Sequence, residues 1–178
     1  DKQTAEFHTS THDVDPSKAQ LLPLKDKHLA SCLADDSMLG LDKPEIRQSA
    51  SEIVGTEKNS CKVADKLLNW VHKNVAYKLD SSTALSAPAI LKAKEGNCAH
   101  MALLYTALAR SIGLPTRLAA GLAYNQKSST FAKHGWAESY VGEWVALDPT
   151  TEDHLVSAEY IKLFESADPK LLDKDFMT

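Results

Sequence analysis

Between Gly96 and Arg117 the chain reads GNCAHMALLYTALARSIGLPTR, and no other stretch limits the fold as much. A helix over these residues is apolar on most faces, so it has to be buried rather than laid on a surface. Asn97 suits the N-cap, the helix runs to about Ser111, and Gly113 suits the stop. The 178 residues, 43% of them hydrophobic, are enough to build a core around such a helix in one domain without staples.

The flanks fill in the domain. Residues 1–20 are polar and lack periodicity, which reads as a linker or mobile arm and leaves 21–178 as one domain; His8 and His12 fall in that arm. Leu21 to Leu33 holds short apolar pieces, read as extended. Asp42 caps a helix with Pro44 in its first turn and Ile46, Ala50, Ile53 and Val54 as its apolar face, stopped by Gly55. A second helix runs from Asn59 or Ser60 to Val75, with Ala64, Leu67, Leu68, Val71 and Val75 as its stripe and Trp70 and His72 in packing and surface roles. Ser86 caps a short helix through Ile90 and Leu91 that Gly96 breaks. After Pro115 the runs TRLAAGLAYN, FAKHGWAESYV and EWVALDPT have strand texture. A last helical piece is expected from Ser157 through Phe164. Helices first and strands after point to an α+β fold with an antiparallel sheet.

Charge and composition exclude several partners. The net charge is −4 with no basic patch, which argues against nucleic acid. No apolar run reaches the length of a membrane span. The chain begins at Asp1 rather than Met, as a fragment or processed product would. The cysteines, Cys32, Cys61 and Cys98, lack the spacing of a metal knuckle, and no metal or cofactor is expected. Either all three are thiols, or Cys32 pairs with Cys61 and leaves Cys98 free.

Cys98 is the residue with chemistry. In the first turn of a helix it meets unpaired backbone N–H groups and the positive end of the dipole, and both favour the thiolate. A buried helix fixes its position. Gly96 leaves room for a substrate carbonyl beside the sulfur, and the Cys98 N–H itself is placed to help bind an oxyanion. Asn97 reads as the cap rather than as a catalytic amide. A thiolate nucleophile needs a base and the base an orienting partner. Of seven histidines, His134 has the best claim. It lies in a strand-like run followed at hairpin distance by one ending in Asp148. His100, two residues past the cysteine, points away on a helix. Trp136 and Glu138 alternate with His134 and share its face. Trp136 shields the site or packs in the core; Glu138 supports it or pairs with Arg110 or Arg117.

Three blocks in this order resemble the core of the transglutaminase-like superfamily: Cys98 after its glycine; Arg110, Gly113, Leu114, Pro115 and Arg117; then His134, Trp136 and Glu138 with Asp148, Pro149 and Thr150. The match covers about residues 86–151. The resemblance implies a papain-like fold, N-terminal helices on an antiparallel sheet, and cysteine-dependent acyl chemistry on amide bonds through Cys98, His134 and Asp148. The substrate would be a peptide or protein, attacked through a thioester acyl-enzyme and released to water or an amine. The compact motifs resemble bacterial and archaeal members, with an extracytoplasmic placement favoured over a cytoplasmic one. A binding module for peptide or cell-wall stems on the same scaffold is the alternative. Calcium-dependent animal members carry an upstream tryptophan that helps bind the oxyanion; Trp70, the nearest here, has another spacing, and no calcium-loop-like acidic cluster appears.

Counting sets one condition on that assignment. A two-residue hairpin at Gly142-Glu143 would put His134 and Asp148 on opposite faces of the sheet, because faces alternate along each strand. The assignment therefore requires either a three-residue loop, Val141-Gly142-Glu143, or a β-bulge between the two residues.

Overall fold

The computed structural model describes residues 15–126, 128–154 and 156–170. His8 and His12 lie outside the described residues. The end of the stretch read as an arm is fastened to the domain. Lys18 pairs with Glu143 at 2.7 Å, and the Gln20 N–H donates to Ser60 Oγ at 2.9 Å.

Among the described residues four α-helices precede the main sheet. α1 spans Pro44–Val54, α2 Ser60–Asn74, α3 Ala87–Ala93 and α4 Cys98–Ser111. Two short strands, β1 (Ala76–Tyr77) and β2 (Glu95–Gly96), form a small parallel pair. The main sheet is antiparallel, in the order β5-β4-β3-β6, from β3 (Thr116–Asn125), β4 (Thr130–Tyr140), β5 (Trp144–Leu147) and β6 (Tyr160–Ser166). The α+β class and the helix-then-strand order are as the sequence predicts.

α4 is the centre of the molecule. Twelve of its 14 residues are buried, and α1, α2, α3 and β4 all pack on it. Two polar anchors fix it to the sheet. Tyr105 and Ser139 share a hydrogen bond of 2.8 Å between hydroxyls. Arg110, 4% exposed, donates to the carbonyls of Thr116, Ala34 and Ala167, each at 2.8 Å. Each of its three guanidinium nitrogens thereby satisfies a different backbone segment, including the strand that follows the helix.

Several local expectations differ. The α1 N-cap is Lys43, not Asp42, and it makes no side-chain cap bond; Pro44 at the first helical position supplies the start. α3 ends at Lys94, whose φ of 53° reverses the chain, so Gly96 is free to join β2. Of the stretch Leu21–Leu33, Lys27–Leu33 is not extended but a 3₁₀ helix capped by Asp26, whereas Leu21 bridges Asn59 as a strand residue would. The expected helix from Ser157 is a turn followed by strand β6. Ser157 Oγ accepts from the Glu159 N–H, so its capping chemistry is present, but pairing with β3 then draws Tyr160–Ser166 into the sheet. All three cysteines are free thiols.

The hairpin obeys the counting condition. Tyr140 pairs with Trp144 and Ala137 with Leu147, so the loop is Val141-Gly142-Glu143. It closes through the Val141 N–H on the Glu143 carbonyl at 2.9 Å. Gly142 takes φ 120°, a conformation that L side chains rarely adopt. The same register carried one residue further brings Asp148 opposite Trp136, diagonal to His134.

Candidate active site

The site is assembled where the N-terminus of α4 meets β4 and the end of β5. Asn97 caps α4 with its Oδ1, accepting from the N–H of Ala99 at 3.1 Å and of His100 at 3.3 Å. The Cys98 N–H is left uncapped by that side chain, at the positive end of the helix dipole. The His134 ring and the Gly135 N–H both act on the Cys98 sulfur to favour its thiolate. His134 Nε2 stands 2.6 Å from Asp148 Oδ2, which leaves Nδ1 as the nitrogen for the sulfur.

Asp148 is fully buried, and both its oxygens are bonded. Oδ1 accepts from the Thr150 N–H at 2.8 Å and from its hydroxyl at 2.7 Å. Oδ2 accepts from the Tyr160 hydroxyl at 2.8 Å as well as from His134. A buried carboxylate is costly unless it is satisfied in this way. Burial pushes the Asp148 carboxyl up, but the bonds and charge of His134 and the two bonds from Thr150 outweigh it and hold the group below its ordinary range. Burial pushes His134 down, yet its bonds to Asp148 and Cys98 and their charges carry it up to about 10. Burial likewise raises the Cys98 thiol, and the His134 bond and charge with the Gly135 N–H bring it below its ordinary value. The three groups titrate as a coupled set in which Cys98 and His134 each favour the other's charged form and Asp148 favours that of His134.

The neighbours divide differently from the sequence reading. Gly96 does not leave a vacancy for substrate: an added Cβ would lie 2.4 Å from His100 Cβ, so the histidine occupies that space. His100, buried, has Nδ1 2.7 Å from Asn97 Oδ1 and donates from Nε2 to the Thr83 carbonyl at 2.9 Å. It ties the loop before α3 to the helix cap. Asn97 is the cap, as read. Trp136, 1% exposed, stacks near-parallel to His134 at 6.5 Å and meets Tyr160 edge-on at 5.5 Å. Glu138 lies four residues further along β4 and is held by Arg117 at 2.7 Å and Lys162 at 2.8 Å. Its carboxylate is therefore spent on those cations and not on His134.

Two residues escaped the sequence reading. Tyr160 bonds Asp148 and packs on both His134 and Trp136; reading its segment as strand would have shown it. Tyr77, half-exposed on β1, lies close enough to Cys98 and Asp148 that their charges, after burial, raise its phenol. Its only sequence signal is its place just before the loop to α3.

A family model described as the transglutaminase-like superfamily matches residues 47–149, more than half the chain. Among solved structures, a candidate cysteine protease from Cytophaga hutchinsonii is similar at TM-score 0.72 and 23% identity, over 85% of this chain and 50% of that one. The periplasmic domain of TgpA from Pseudomonas aeruginosa is similar at TM-score 0.54 and 21% identity, over 77% of this chain and 48% of its own. At these identities the likeness is one of fold, and the chain spans half or less of either protein's length. No curated protein matches the chain.

Proposed function

Since the chain belongs to the transglutaminase-like superfamily, we propose that it performs cysteine-dependent acyl chemistry on amide bonds of a peptide or protein, with Cys98 as nucleophile, His134 as acid and base, and Asp148 as the group that orients His134. The observation that carries this reading is the 2.6 Å contact between His134 Nε2 and the buried Asp148, with the charge of His134 acting on the Cys98 sulfur at the N-terminus of α4. The Cys98 thiolate attacks the carbonyl carbon, and the electron pair moves to the carbonyl oxygen. The uncapped Cys98 N–H is placed to meet the oxyanion. As the C–N bond breaks, the His134 imidazolium gives its proton to the departing amine. The neutral imidazole then takes a proton from water, or from an acceptor amine, which attacks the thioester and frees Cys98. Asp148 remains ionised throughout and fixes the tautomer that presents Nδ1 to the sulfur. The likeness to a periplasmic domain supports an extracytoplasmic setting.

The test is acyl-enzyme trapping. The protein is incubated with a peptide library, quenched in acid and read by intact-mass spectrometry. An adduct on Cys98 that is absent from Cys98→Ala, with the variant still folded, is the expected result. Turnover by Cys98→Ala at the parent rate removes the mechanism.

A further inference from the structure

α2 carries a histidine that the acyl chemistry leaves unused. Leu68 of α2 and Leu147 of β5 line the same cleft, and one helical turn after Leu68 the side chain at position 72 points the same way. His72, half-buried, therefore comes beside the residues that follow Leu147. Its Nδ1 lies 3.1 Å from the Pro149 carbonyl oxygen. A carbonyl can only accept, so Nδ1 carries the proton and donates. The other end of that same peptide group is the Thr150 N–H, which donates to Asp148 Oδ1 at 2.8 Å. One rigid plane, the peptide between Pro149 and Thr150, is thus held at its oxygen by His72 and at its nitrogen by the Asp148 carboxylate. A bond on the carbonyl also polarises the N–H across the amide and strengthens what it donates. His72 reaches Asp148 by a second route. Its ring meets the buried His154 ring edge-on at 5.3 Å, and the His154 carbonyl accepts the Asp148 N–H at 2.8 Å. His154 makes that bond with φ at 58°, a conformation strained for a residue other than glycine, which persists only where neighbours hold it.

Given Cys98, His134 and Asp148 as the reacting set, a reading on which this step rests, we infer that His72 is a positioning residue for Asp148 and acts through the peptide between Pro149 and Thr150. The carboxylate turns about its own side-chain bonds unless something fixes both oxygens. Thr150 holds Oδ1 with its N–H and its hydroxyl, and that grip turns Oδ2 toward His134. With the peptide braced at its carbonyl by His72, the Thr150 N–H keeps its aim. Without the brace the peptide can tilt, Oδ1 loses its alignment, and the bond from Oδ2 to His134 loosens with it. The consequence falls on the steps in which His134 moves a proton, and so on kcat rather than on KM. What the position requires is a donor where Nδ1 stands; a donor on the far side of the ring, where Nε2 stands, does not reach the carbonyl.

The test compares His72→Phe, His72→Gln and His72→Asn. Phenylalanine keeps a ring without a donor, glutamine puts an amide N–H where Nε2 stands, and asparagine puts one where Nδ1 stands. With p-nitrophenyl acetate as the acyl donor, kcat should fall about three- to tenfold in the Phe and Gln variants while KM stays within about twofold, and asparagine should bring kcat back to within about twofold of the parent. Glutamine keeps a polar side chain at this half-buried position, so its comparison with asparagine stands if phenylalanine unfolds the chain. A second readout needs no turnover. The His134 Nε2 proton, assigned by its loss in His134→Ala, is followed by proton NMR in the unreacted protein, where its charge-assisted bond to Asp148 carries it downfield. It should move upfield in His72→Gln and return in His72→Asn. Equal kcat in the Gln and Asn variants, a change confined to KM, or a His134 signal that His72→Gln leaves in place would each overturn the inference. Turnover by Asp148→Asn at the parent rate overturns the acyl reading instead, and the NMR readout then still decides whether His72 holds the carboxylate.

Discussion

Asp148 is held by four hydrogen bonds from three residues, and the account stands on what each bond does. Tyr160 donates to the same oxygen as His134, and burial followed by the charge of Asp148 raises its phenol strongly, so it stays a neutral donor. Tyr160→Phe removes one bond and leaves the packing on Trp136. We expect kcat/KM to fall about five- to tenfold, from a loss of about 1–1.5 kcal/mol, with an unchanged circular dichroism spectrum. Asp148→Asn is the more severe change, because an amide can hold the wrong imidazole tautomer; a loss on the order of a thousandfold or more is expected, while normal rates would take Asp148 out of the mechanism. Gly96 and His100 are a matched pair of a different kind. Gly96→Ala puts a methyl against the His100 ring and should cost about 1–3 kcal/mol in urea unfolding. In the double variant with His100→Ala the two costs should fail to add, because the clash disappears with the ring.

The three-residue loop between β4 and β5 sets which face Asp148 occupies. A one-residue slip in register turns every following side chain to the opposite face of a sheet. Deleting Glu143 should therefore reduce activity to the level of Asp148→Asn while the secondary structure content persists, whereas Glu143→Gln, which keeps the loop length, should remain active. Full activity in the deletion variant would show that the hairpin register does not place the carboxylate. This register was legible in the sequence because it follows from counting between residues of known chemistry. α2, α4 and the three strand-like runs were legible for a similar reason: their periodicity and caps are local. β6 was not. Tyr160, Ile161, Leu163 and Phe164 have helical spacing as well as a strand's composition, and only the pairing of the segment with β3 decides between the two. With β6 misread, Tyr160 could not be seen as a partner of Asp148.

α4 joins the core to the chemistry, so stability and reactivity meet in it. Leu104 is fully buried, and Leu104→Ala should lower unfolding free energy by about 2–5 kcal/mol without changing the titration of Cys98 if the helix terminus keeps its place. That His134 and Asp148 meet was readable in advance, because the motifs give their order in the chain and the hairpin count gives their face. The fate of Glu138 and Tyr77 depends on neighbours distant in sequence, Arg117 on β3 and Lys162 on β6 for the one and Cys98 for the other, and that of Gly96 on the direction in which the His100 side chain turns across the cap. The coupled titration also fixes a pH window for activity. Below the lowered Cys98 value the sulfur gains a proton and the nucleophile is lost. Above about 10 His134 loses its proton, and the acid for the leaving amine is lost. The lower limb is the direct test of the central claim, since Cys61 supplies an internal standard whose thiol burial raises. The measurement is the pH profile of iodoacetamide labelling, resolved by residue in one sample. The account predicts a Cys98 midpoint below the ordinary thiol value of about 8.5, a Cys61 midpoint above it, and an upward move of Cys98 in His134→Ala. A Cys98 midpoint at or above that value, or one that His134→Ala leaves in place, contradicts it.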